Sequence, residues 1–157
     1  MNKRIVGTSG LSGIMEWMLR AMFFGGILIC ATLPFTFRKI LRLIFYFPVT
    51  QAFYFRALIY TLIFGVLMVI FVYFAARVFR TVTKGDPFVK ENLQSLWAMG
   101  IISGLLALAN GAYSLVGLSV LAMILCVFFL FFWGFLLVLR EVFRSAIAYK
   151  EENEFTI

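Results

Sequence analysis

From Asn92 to Leu139 the chain contains no Asp, Glu, Lys, Arg or His. A soluble helix cannot sustain such a run, because one of its faces must meet water. Buried in hydrocarbon, the same run needs no charge at all. A membrane-spanning helix takes about 20 apolar residues, since the core is about 30 Å thick and a helix rises 1.5 Å per residue. The run is about twice too long for one span on that measure. It also contains Asn110-Gly111, a dipeptide that favours turns. It therefore reads as a helical hairpin, with spans over about 94–110 and 115–139.

The rest of the chain fits the same solvent. Hydrophobic residues make up 64% and charged residues only 13%, about half the charged share of an ordinary soluble domain. Two further apolar stretches qualify as spans, about 17–37 and 57–76. The first has Arg20 near its entry and Pro34 near its exit, and the basic cluster after Pro34 argues for a retained helix rather than a cleaved signal. The expected fold is all-α: one membrane domain over residues 1–157, four transmembrane helices, a connector at 77–93, and a last helix extended beyond the membrane into a tail at 140–157.

Orientation follows from Lys and Arg. Four spans put both termini on one side, with Lys3, Arg4, Arg20, Arg77, Arg80, Lys84, Lys90, Arg140, Arg144 and Lys150. The other side holds Arg38, Lys39, Arg42 and Arg56. The positive-inside rule then makes both termini, the connector and the tail cytoplasmic. Trp17, Trp97 and Trp133 fall in the cytoplasmic halves of their spans, where indoles favour the interface. The pI near 9.8 does not imply direct nucleic-acid binding, because the basic residues mark helix ends and anionic lipid headgroups are their natural counterions. The outer segment at 38–56 reads either as a short interfacial helix or as a plain connector with an aromatic belt.

Chemistry is scarce. There is no His, no carboxylate inside a predicted span, no metal-ligand spacing and no phosphate-binding glycine loop. Cys30 and Cys126 both lie within spans, where thiols are usually inert. No enzymatic activity, cofactor or metal is expected, and a proton-coupled transporter would need an intramembrane ionisable residue, of which the spans hold none past Arg20. Gly100 and Gly104, continued by Gly111, form a small-residue face for helix packing, either within the chain or in a homo-oligomer. Gly25 and Gly26 of the first span are the expected partner surface. Ser103, Thr61 and Asn110 could hydrogen-bond between helices.

Two segments carry more information. In the connector, Lys84-Gly85 reads as a turn, with Asp86 as helix N-cap and Pro87 at the first helical position. In the tail, Val142, Phe143, Ala146 and Ile147 form an apolar stripe. Together, Pro87, Phe88 and Asn92, with the closing run Glu152, Asn153, Glu154, Phe155, Thr156 and Ile157, resemble a bacterial four-helix inner-membrane family of unknown function designated DUF2975. The resemblance implies a bacterial inner-membrane protein, often encoded beside a small helix-turn-helix regulator, and brings no catalytic residues.

The acidic tail admits three readings. Glu151, Glu152 and Glu154 could fold back onto Arg77, Arg80, Lys84 and Lys90. Phe155 and Ile157 could tuck against the helix ends. Alternatively Asp86, Pro87, Phe88 and Asn92, with Glu151 to Ile157, form a docking surface for a cytoplasmic partner, such as the helix-turn-helix regulator that the resemblance suggests. The expected function is accordingly a regulator or anchor in the bilayer, the alternative being an oligomeric module that binds or transports an apolar compound or lipid.

Overall fold

The computed structural model describes residues 11–44, 50–117 and 119–154, and its four helices follow one another in a simple order. They are α1 (Leu11–Ile44), α2 (Gln51–Thr83), α3 (Lys90–Gly117) and α4 (Val120–Glu154). No strand occurs among the described residues. All four are long and apolar enough to cross a membrane. With 28 to 35 residues each, they measure about 42 to 52 Å, so they outrun a hydrocarbon core of about 30 Å. The chain is a multi-pass membrane protein.

α1 packs on α2, α2 on α3 and α3 on α4. Among the described residues the α1 backbone comes close to neither α3 nor α4. α2 reaches α4 through rings instead, with Phe64 and Phe129 at 6.0 Å and Phe71 and Phe132 at 5.8 Å. The result is a core of α2, α3 and α4, with α1 laid along the outside of α2.

α3 is the centre of that core. Its buried residues recur every three or four positions, from Asn92 through Ser95, Met99, Ser103 and Leu106 to Asn110, which places them on one stripe of the helix. Asn92, Ser95, Ser103 and Asn110 are fully buried. An apolar solvent explains this inversion, since lipid accepts the outward Leu and Ile while polar groups gain by turning inward.

The structure corrects several expected boundaries. α3 does not stop at Asn110 but runs through Gly111 to Gly117. The Asn110 side chain is occupied inside the core: its Nδ2 donates to the Leu106 carbonyl at 2.7 Å, and its Oδ1 accepts from the Tyr60 hydroxyl at 2.6 Å. A partner fifty residues away outweighs the local turn preference of Asn-Gly. The real connection comes at Ser119, whose hydroxyl accepts from the Ala122 backbone N–H at 3.4 Å and so caps α4. Residues 38–44 continue α1 rather than forming a separate interfacial helix, and Arg38 lies 5.4 Å from the centre of the Tyr54 ring.

Pro34 lies inside α1 and does not end it. Pro34 cannot supply its own backbone bond, yet membrane helices tolerate such a gap. The Thr32 and Thr36 hydroxyls donate back to the carbonyls of Leu28 and Thr32, so these polar side chains are satisfied within the helix.

Candidate functional site

α2 ends in a specific turn. The Gly85 N–H donates to Val82 O at 3.0 Å and the Asp86 N–H to Thr81 O at 3.2 Å, while Gly85 takes a φ of 85°. This is a Schellman closure, which needs the left-handed conformation that glycine adopts without strain. The expected Lys84-Gly85 turn is therefore present. Asp86 is not an N-cap, however, and Pro87 is not a first helical residue, because α3 begins only at Lys90. Asp86 already spends its N–H on α2, so residues 86–89 cross between the helices without helical structure.

Asn92 holds that crossing in place. Its Nδ2 donates to Thr81 Oγ1 and to the Pro87 carbonyl, both at 2.6 Å. One buried amide thus ties the last turn of α2 to the connector and to α3. Proline's carbonyl has no neighbouring helical donor here, and Asn92 supplies one.

The C-terminal part of α4 lies against this connector. Lys150 Nζ donates to both carboxylate oxygens of Asp86 at 3.0 and 3.2 Å. Lys90 pairs with Glu151 at 2.9 Å. About two turns earlier on α4, the Phe143 ring stands 5.4 Å from that of Phe88, and Ile147 is buried. Of the expected tail stripe, Phe143, Ala146 and Ile147 turn inward whereas Val142 is exposed. The structure thus brings Asp86, Phe88 and Glu151 onto one surface, with Pro87 and Asn92 behind it.

The expected basic partners divide differently. Lys90 meets the acidic tail through Glu151, while Arg77 faces Glu91 at 3.4 Å. Glu152 and Asn153 are exposed on the last turn of α4, which closes at Glu154. Phe155, Thr156 and Ile157 lie outside the described residues.

The glycines meet other helices than expected. A Cβ added at Gly100 or Gly104 would come within 3.9 or 3.8 Å of the Trp133 ring, and one at Gly111 within 3.3 Å of Cys126 Sγ. All three face α4 within the same chain. Gly26 instead faces Val69 of α2, and Gly25 meets nothing within 4 Å.

Sequence reasoning did not single out Thr81, Lys150 as the partner of Asp86, or Tyr60. The Tyr60 and Tyr113 rings stack at 4.1 Å beside Asn110. A polar residue in the middle of an apolar run was the available signal for Asn110, but its donor on another helix left no local trace.

A family model described as "Protein of unknown function (DUF2975)" matches residues 15–157, nearly the whole chain. The chain belongs to that family. Membership in DUF2975 assigns no activity. No curated protein and no solved structure matches this DUF2975 chain.

Proposed function

We propose that this protein is a non-enzymatic membrane regulator or anchor that holds a soluble partner on the surface made by the 84–89 connector and the end of α4. The observation that carries this reading is the pairing of α4, far beyond the residues needed to span, with the connector through Asp86–Lys150 and with the first residue of α3 through Lys90–Glu151. A helix needing only passage across the bilayer could stop about ten residues earlier. Its extension instead builds an ordered platform. The bias of Lys and Arg toward this end supports a cytoplasmic location for it, in a bacterial inner membrane with both termini cytoplasmic. A small helix-turn-helix regulator of the kind suggested by the family resemblance is the partner proposed.

Crosslinking from native membranes tests this, comparing the full chain with one truncated after Tyr149. A helix-turn-helix protein captured by the full chain and lost on truncation supports docking. Equal recovery by both forms overturns it.

A second reading draws on a cleft between α2 and α3 at the opposite end, of about 600 Å³, lined by Tyr60, Ile63, Tyr113 and Val116 with Arg56 at its edge. In this reading the protein, alone or as a homo-oligomer, binds or moves an apolar compound or lipid. Flux or ligand protection that survives deletion of the tail would favour it over docking.

A further inference from the structure

α1 and α2 approach closely at Gly26 and Gly65. A Cβ at Gly26 would lie 2.7 Å from Val69 Cγ2, and one at Gly65 2.8 Å from Cys30 Sγ, both too short for a real side chain without movement. Toward the connector end a pocket of about 450 Å³ opens between the same two helices. It is lined by three arginines, Arg20, Arg77 and Arg80, and three aromatic residues, Phe23, Phe24 and Tyr73.

The charges in this pocket are incompletely answered. Arg20 pairs with Glu16, one turn before it on α1. Arg77 reaches Glu91 at 3.4 Å. Arg80 has no acidic partner among the described residues. A guanidinium carries five N–H donors, and one carboxylate can take at most two of them in a fork. The pocket thus retains N–H donors from three guanidinium groups and one full positive charge in excess.

The other half of the pocket is apolar and opens to the side. The Phe23 and Tyr73 rings stand 5.8 Å apart, and Phe24 is largely exposed. Since the α1 backbone comes close to neither α3 nor α4 and the pocket is lined by α1 and α2 alone, we read this opening as facing the bilayer rather than the protein core. Arg77 follows directly on the apolar run of α2, which sets the arginines at headgroup level. Free phosphate would use the arginines and leave the rings unoccupied. An amphiphile uses both.

We infer that the α1–α2 pocket is a binding site for an anionic glycerophospholipid, its phosphodiester held by Arg20, Arg77 and Arg80 and its upper acyl chain lying on Phe23, Phe24 and Tyr73. Basic pockets between transmembrane helices recognise anionic headgroups in this way. The site is separate from the proposed docking surface and does not depend on it.

The test is native mass spectrometry of the delipidated full chain, titrated with phosphatidylglycerol and with phosphatidylcholine of the same acyl chains. We expect phosphatidylglycerol to bind more tightly, with one molecule retained per chain. Arg80→Gln should weaken it about tenfold, the loss of one charge-assisted contact. Arg42→Gln, the same charge change at the opposite end, should leave it within twofold. Phe24→Ala, which keeps every charge, should also weaken the lipid. Circular dichroism on each variant excludes loss of fold as the cause. Equal binding of the two lipids, equal effects of the two arginine substitutions, or full displacement by millimolar glycerol 3-phosphate would each overturn the assignment, the last by showing a site for a soluble phosphate.

Discussion

Asn92 and Asn110 stand near opposite ends of one buried stripe, and each joins α3 to α2. Asn110 does so in the apolar interior, through Tyr60 at 2.6 Å. Such bonds contribute about 0.6 kcal/mol on average in membrane proteins and at most about 1.7, because the separated helices find other partners. We expect Tyr60→Phe to lower stability by that order, as read from thermal unfolding in detergent. Pairing it with Asn110→Leu should cost less than the two single changes added together, since an unpartnered acceptor is then no longer left behind. Asn92 has the larger local consequence, because its amide supports both the helix end and the connector. Asn92→Ala frees Thr81 and the Pro87 carbonyl together, and two lost bonds of about 1 kcal/mol each are expected. Limited proteolysis should then cut within 84–89 faster, with little change elsewhere.

The extension of α4 raises the question of what holds an element that has left the membrane. Its two ion pairs to the connector and the start of α3 are exposed, and pairs of that kind contribute about 0 to 1 kcal/mol each. The apolar contacts of half-buried Phe143 and buried Ile147 outweigh them, since fully burying a large apolar side chain contributes about 1.5 to 3 kcal/mol and partial burial a corresponding share. The ion pairs therefore set the register of α4 on the connector, and the apolar contacts hold it. We expect Phe143→Ala to expose 140–154 to protease, whereas Lys150→Gln should change cleavage little. At this scale the sequence was partly legible. Helical periodicity gave Phe143 and Ile147 correctly, because burial on a helix repeats every 3.6 residues. It included Val142 wrongly, since the facing connector covers a narrower strip than the pattern allowed. The start of α3 was misplaced by three residues for a related reason: Asp-Pro is a good local helix start, but the backbone N–H of Asp86 was already bonded to α2. Local signals describe an element's own preference, and these two segments are decided by what lies opposite.

For the molecule as a whole, the four apolar stretches were legible because a bilayer imposes length and polarity on each span separately. Their arrangement was not, since lipid is as apolar as the helix surfaces and periodicity no longer says which face turns inward. The glycines show this most clearly: Gly26 and the face of Gly100 and Gly104 read as complementary surfaces, yet they meet α2 and α4 respectively. The placement of α1 against α2 alone can be checked directly. A Cβ at position 65 falls 2.8 Å from Cys30 Sγ, so Gly65→Cys sets two thiols at bonding reach once the helices adjust by a few tenths of an ångström. Mild oxidation in membranes should join them within one chain, leaving Cys126 as the single thiol that a maleimide labels after denaturation. If α1 packed elsewhere, all three cysteines of the variant would label. The same crosslinked protein separates rigid packing from motion of α1, because fixing α1 to α2 should leave phosphatidylglycerol binding unchanged if the pocket is already formed, and should reduce it if α1 must swing away to admit the lipid.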